Sequence, residues 1–186
     1  FWEPLDEHNE RYEELKVHPN WSFASGDYPS REDLLKERDR LLERHSETTF
    51  ICVHFGNNPE DLGYVDRLLT RHSNVVLDTS ARVPEFGRHP AAKVRALFIK
   101  YADRIMFGTD IGLSRHIMLG STGNDEPTER DIKPFFDAHW RYFEGQEEDI
   151  AHPTPIQGRW TVDAINLPED VLFKLYRGNA ARILRL

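Results

Sequence analysis

Positive charge, cysteine and long apolar runs are all scarce in this chain. Its 186 residues carry 24 Lys and Arg against 32 Asp and Glu, a formal net charge of −8. A phosphate backbone is bound by clustered Lys and Arg, so this balance argues against nucleic acid as a partner. No apolar run approaches the roughly 20 residues of a membrane span. The longest, such as residues 50–53, are strand-sized, so no membrane partner is expected. Cys52 is the only cysteine, which excludes an internal disulfide framework and makes a cytoplasmic location the default expectation. Inside its apolar run, Cys52 reads as core packing. A Gly-rich phosphate loop, a Gly-x-Ser-x-Gly elbow, a His-x-His and a His-Glu-x-x-His are all missing.

Hydrophobic residues make up 39% and aromatics 11% of the chain, enough to bury a sizeable core. Residues 7–15 suit a short helix and residues 21–28 a loop. Ser30 is a good N-cap with Asp33 three residues on, and Leu34, Leu35, Leu41 and Leu42 then share a helical face. That face predicts a helix packed on a sheet. Residues 48–54 form a nearly continuous run of β-formers, as in a strand buried on both faces. Asn58-Pro59 looks like an N-cap with Pro at the first helical position, followed by the stripe Leu62, Val65, Leu68 and Leu69.

The alternation continues. Residues 74–79 predict a strand, residues 90–101 a helix with Val94, Leu97, Phe98 and Tyr101 on one side, and residues 104–109 a third strand. Such alternation marks an α/β fold with parallel strands. Residues 111–166 break it with Gly, Pro and acidic clusters, and residues 168–186 close the chain as a helix.

Ligands of parallel α/β folds bind at the carboxyl ends of the strands. Those ends carry His54, Asp78 to Arg82, and Asp110. A histidine and a carboxylate on such ends suit metal ligation or acid/base work. Blander readings stand beside this one. His54 as a core histidine held by backbone groups, Asp110 as a turn cap, and Arg82 paired with Glu85 on the surface are each consistent with residue type. The other histidines, His8, His18, His45, His72, His89, His116, His139 and His152, sit mostly among charges and read as surface residues.

Three segments resemble the last three barrel strands of the amidohydrolase-2 group of metal-dependent amidohydrolases. They are Thr49-Phe50-Ile51-Cys52-Val53-His54-Phe55-Gly56, Asn74-Val75-Val76-Leu77-Asp78-Thr79-Ser80-Ala81-Arg82 and Asp103-Arg104-Ile105-Met106-Phe107-Gly108-Thr109-Asp110. The ending Leu175-Tyr176-Arg177-Gly178-Asn179-Ala180-Ala181-Arg182-Ile183-Leu184 is similar to the group's final helix. The opening Asn9-Glu10-Arg11-Tyr12-Glu13-Glu14-Leu15 and residues 155–160 resemble segments of a subgroup.

The resemblance implies a (β/α)8 TIM barrel and one divalent metal ion, zinc or manganese. The family's metal ligands are a His-x-His on its first strand, a His on its fifth and an Asp on its eighth. Asp110 matches that Asp, as metal ligand and proton acceptor. His54 matches a histidine that acts as acid/base or polarises substrate, and Arg82 would hold a substrate carboxylate. The upstream histidines have no counterpart here. Residues 1–186 are therefore expected to be the C-terminal part of one barrel domain, with 111–166 an insertion over the site or at a subunit contact in a homo-oligomer. Such a fragment should bind metal poorly and be inactive by itself. The implied activity is metal-dependent hydrolysis of a small acidic molecule. Non-oxidative decarboxylation by the same family is the alternative, and a degenerate, non-catalytic barrel module is another.

Overall fold

The computed structural model describes residues 6, 11–24, 26–121, 123 and 126–186. His8 and the first residues of the 7–15 helix lie outside the described ones.

Three parallel strands form the central sheet in the order β1 (Phe50–Cys52), β2 (Val75–Asp78), β3 (Ile105–Met106). Phe50 pairs with Val75, and Leu77 pairs with Ile105. The helices α1 (Tyr12–Val17), α2 (Arg31–Arg44), α4 (Leu62–Arg71) and α6 (Ala91–Lys100) lie between or before these strands. Two shorter turns, α3 (Val53–Gly56) and α5 (Val83–Phe86), follow directly on β1 and β2. The alternation read from residues 30–110 is therefore present. The mixed α/β architecture with a parallel sheet is compatible with a TIM-barrel type, although the three strands do not close into a barrel.

Helices α2 and α4 start where a side chain supplies an acceptor. Ser30 accepts from the Asp33 amide at 3.1 Å, as its sequence predicts. The cap of α4 is Asp61, not Asn58. Its Oδ1 accepts from the Tyr64 amide at 2.9 Å, while Asn58 and Pro59 lie in the preceding turn. The Val65, Leu68 and Leu69 stripe of α4 is buried, as are Val94, Leu97 and Phe98 of α6.

Val75, Val76 and Leu77 of β2 are all buried, as suits a central strand covered on both faces. β1 is different. Ile51 is 41% and Val53 44% exposed, because β1 is an edge strand with a neighbour on one side only. The same open side leaves Leu34 and Leu41 of α2 exposed, and Leu42 alone of the predicted face is buried. The β3 edge is closed instead. Phe107 donates its N–H to the Leu175 carbonyl at 2.8 Å, and the Asn179 amide donates to the Ile105 and Ala102 carbonyls at 2.8 and 2.7 Å. These partners come from the C-terminal helix α8 (Glu169–Phe173) and α9 (Asn179–Leu184), joined by a π-helical turn over Lys174–Gly178. A π turn takes carbonyls off the regular helical ladder, and Leu175 uses its own on the strand.

Residues 111–166 hold the hairpin β4 (Ile111–Leu113) and β5 (Ile117–Leu119), the helix α7 (Glu129–Glu144) and the pair β6 (Ile150–Ala151) and β7 (Thr161–Val162). This stretch supplies part of the core. Tyr142 and Phe143 of α7 are fully buried and join Phe55, Phe86 and Phe98 in one aromatic cluster. Neighbouring rings there lie 4.8–5.8 Å apart, in the favourable range for aromatic pairs. Trp160 is partly buried and donates to the Pro84 carbonyl at 2.9 Å, while Trp140 is exposed.

Three histidines read as surface residues are buried: His72, His139 and His152. Charged neighbours in sequence misled, because helix and loop geometry turn these rings inward. The His139 ring donates through Nδ1 to the Phe135 carbonyl at 2.8 Å and packs against Phe107 and Phe135. Burial pushes its pKa down to about 4. The unfolded chain then binds the extra proton between pH 6.5 and 4, so stability is lost as pH falls through that window. At about 1.4 kcal/mol per unit, the full loss is about 3 kcal/mol. Urea melts at pH 7 and pH 4.5 should show that loss in the native chain and a smaller one in His139→Gln.

Candidate active site

The parallel sheet brings the carboxyl ends of β1, β2 and β3 side by side. β1 and β3 flank β2, so their backbones lie roughly 10 Å apart. Each strand end turns through a residue in the left-handed region: His54 (φ 56) after β1, Ala81 (φ 52) after β2 and Asp110 (φ 61) after β3. Such a conformation costs a non-glycine residue about 1–2 kcal/mol. It persists only where surrounding bonds hold it, and it concentrates at functional sites.

The holding bonds are explicit. Asp78 Oδ1 accepts from the His54 amide at 2.9 Å and from the Ser80 amide at 3.1 Å. One carboxylate oxygen thus ties the end of β1 to the turn after β2. After His54 the backbone stays left-handed through Phe55, Gly56 and Asn57. Arg38 donates to the Gly56 carbonyl and Arg31 to the Asn57 carbonyl, the latter at 3.0 Å. On the other side, Thr79 Oγ1 both donates to the Gly108 carbonyl and accepts its N–H, at 2.9 and 3.0 Å. A Cβ at Gly108 would lie 2.3 Å from Ser80 Oγ, so a side chain there would push the Ser80 hydroxyl aside.

The three residues singled out from sequence occupy this edge. The His54 Nδ1 lies 2.9 Å from the Ser80 carbonyl. A carbonyl only accepts, so Nδ1 carries the hydrogen and Nε2 is left with a free lone pair in the neutral ring. His54 is half-buried and does take a backbone partner, yet that partner fixes the tautomer instead of consuming the ring. The Asp110 side chain takes no hydrogen bond or ion pair among the described residues, and it does not cap the turn. Its own carbonyl accepts from Gly120, which returns from the β4–β5 hairpin at 3.2 Å.

Arg82 pairs with Glu85 as its spacing suggests, at 3.5 Å, but in the interior and not on the surface. Its side chain is 12% exposed and also donates to the Ala81 carbonyl at 2.7 Å. Burial first, and Arg11 second, push its pKa down to about 10, against the carboxylates of Glu14, Glu60 and Asp110. It therefore keeps its charge at neutral pH, within electrostatic reach of Asp110. Arg11 and Glu14 of the α1 region, Glu85 of α5 and Ser121 after the hairpin complete this buried polar cluster.

Sequence reading named Asp78 only as part of a strand end and Glu85 only as a surface partner of Arg82, and it missed the roles of Arg31 and Arg38. Asp78 was findable, since Asp with Ser two residues on is the pattern of an Asx turn. Nothing local in the sequence marks Arg31 and Arg38 as holders of a strand end.

A metal ion needs more donors than these residues group together. Among the described residues no three His, Cys, Asp or Glu converge as a metal site. The unbonded Asp110 carboxylate fits as one ligand, and His54 Nε2 is a free donor two strands away, short of a four-coordinate zinc shell.

A parallel α/β sheet with a histidine, a carboxylate and a guanidinium at its carboxyl edge has polar groups where ligands bind in barrel and doubly-wound folds. The chain belongs to the amidohydrolase family, whose model matches residues 3–186. Members of that family are in general enzymes, hydrolases and lyases, and their superfamily is typically metal-dependent. Comparison with curated proteins and with solved structures finds no match.

Replacing Asp78 tests the hold on the edge. Asp78→Ala should lower stability by about 1–3 kcal/mol per stranded amide, with Asp78→Asn losing less because its amide oxygen still accepts. Chemical denaturation of both variants reads this. Equal, negligible losses would show that Asp78 does not hold the two strand ends.

Proposed function

We propose that this edge serves a metal-dependent hydrolase acting on a small acidic substrate. The observation that supports it most is that one sheet edge carries both a carboxylate without a bond among the described residues, Asp110, and a ring nitrogen left free by its tautomer, His54 Nε2. In this reading Asp110 is a ligand of the metal and accepts a proton from water. His54 gives or takes a proton at Nε2, with Ser80 keeping the ring oriented through Nδ1. Arg82 binds a substrate carboxylate with a buried, charged guanidinium, where such a pair is stronger than in water. The divalent metal supplies Lewis acidity and a more acidic bound water.

Zinc titration followed by calorimetry checks the ligand role without needing a substrate. The chain should bind zinc weakly, Asp110→Asn should weaken it further by at least about tenfold, and His54→Ala should leave it unchanged. A tight stoichiometric site indifferent to Asp110 would remove Asp110 from the metal. In an activity screen of small carboxylate esters, amides and lactones with a protein carrying the whole barrel, His54→Ala should cost about a hundred- to ten-thousand-fold in kcat. Turnover that survives Asp110→Asn would reject the assignment, and release of CO2 instead of a hydrolysed product would place the chain among the decarboxylases.

A further inference from the structure

At the opposite end of the sheet, the amino ends of the three strands surround a cavity of about 240 Å³. Its polar lining includes Thr49 ahead of β1, Ser73 and Asn74 ahead of β2, Arg104 ahead of β3, and Arg182 and Arg185 from the C-terminal helix and its cap. Three arginines without a carboxylate partner meet at this one cavity. Neither Arg104, Arg182 nor Arg185 forms an ion pair among the described residues. The contacts that Arg104 and Arg182 do make are to neutral oxygens.

The site is built rather than incidental. Arg104 is held by Nε to the Val75 carbonyl at 2.7 Å and by Nη2 to the Leu69 and His72 carbonyls at 3.0 and 2.6 Å. Arg182 is fixed by Nη2 to the Asp103 carbonyl at 2.5 Å. Both guanidiniums are thereby pre-positioned with donors to spare, since each carries five N–H groups. Asn74 spends its amide hydrogens on the Leu42, His45 and Thr48 carbonyls, so it shapes the wall without adding a donor. Partial burial of Arg104 lowers its pKa, the sign of a charge that its neighbours do not fully offset.

We propose that this cavity is an anion site, distinct from the carboxyl-edge site, that takes a compact phosphate group on Arg104, Arg182 and Arg185. Guanidinium forks match phosphate oxygens in geometry and charge. The volume lies below the roughly 300–1,000 Å³ of sites for drug-sized ligands, which favours a phosphate or small phosphomonoester over a nucleotide.

Calorimetry with three probes tests it: inorganic phosphate, glycerol phosphate, and phosphatidylcholine vesicles carrying phosphatidic acid. The double variant Arg182→Ala, Arg185→Ala removes two of the three charges while leaving Arg104, and circular dichroism verifies its fold. Arg185→Ala alone makes no described bond and covers the case where the double variant misfolds. Arg177→Ala, exposed on the same helix outside the cavity, is the charge control. Saturable binding of the soluble probes that weakens about tenfold per lost guanidinium, with Arg177→Ala unaffected, is the expected result. Binding confined to the vesicles and lost in the same variants assigns the phosphate to a lipid headgroup. No saturable binding of any probe, or equal weakening by Arg177→Ala, overturns the site.

Discussion

One carboxylate oxygen fixes the geometry on which the candidate chemistry depends. Asp78 Oδ1 accepts from amides on both sides of a strand boundary, at His54 and at Ser80. The first bond turns the backbone after β1 into the left-handed region. The second sets the Ser80 carbonyl where the His54 ring can donate to it. Orientation, tautomer and strain at His54 thus trace to a single acceptor. Thr79, the next residue, ties the same turn to Gly108 and so to the strand that ends at Asp110. His54 and the strand that leads to Asp110 are held by adjacent residues, Asp78 and Thr79, at the end of the central strand.

Much of this was legible in the sequence, for reasons that particular residues make clear. Val65, Leu68 and Leu69, and likewise Val94, Leu97 and Phe98, repeat at helical spacing because each helix buries one stripe against the sheet. Ser30 announces its helix because a hydroxyl before a free amide has one obvious use. The strand-end motifs placed His54, Arg82 and Asp110 together because parallel strands align their carboxyl ends. The failures share another cause. Leu34 and Leu41 have the right spacing but no neighbour to bury them, and a period does not report what lies opposite. His139 and Arg82 sit in polar sequence yet point inward, since polarity along the chain says nothing of what a fold encloses. Asn58-Pro59 lost the cap to Asp61 through a shift of three residues, a scale at which cap preferences overlap.

The molecule divides its polar burdens by face. At the carboxyl edge, charges are buried in matched pairs, Arg82 and Arg11 with Glu85 and Glu14. Removing either partner there would strand a charge in the interior, a loss of several kcal/mol in typical cases. At the amino edge, guanidiniums face a cavity with only neutral oxygens beside them. Similar residue types thus meet two electrostatic settings within one sheet, the first closed on itself and the second short of negative charge.

The sealing of β3 by the C-terminal helix gives the sheet a direction of growth. Its far side already spends the Ile105 carbonyl and the Phe107 amide on Asn179 and Leu175. By the alternation of the ladder, Ile51 of β1 turns its own backbone groups outward, beside exposed Ile51 and Val53 side chains. A parallel strand added to this sheet joins at β1, and its carboxyl end arrives next to His54, not Asp110. Of the two groups in the candidate chemistry, the base is the one whose surroundings a newcomer could rewrite.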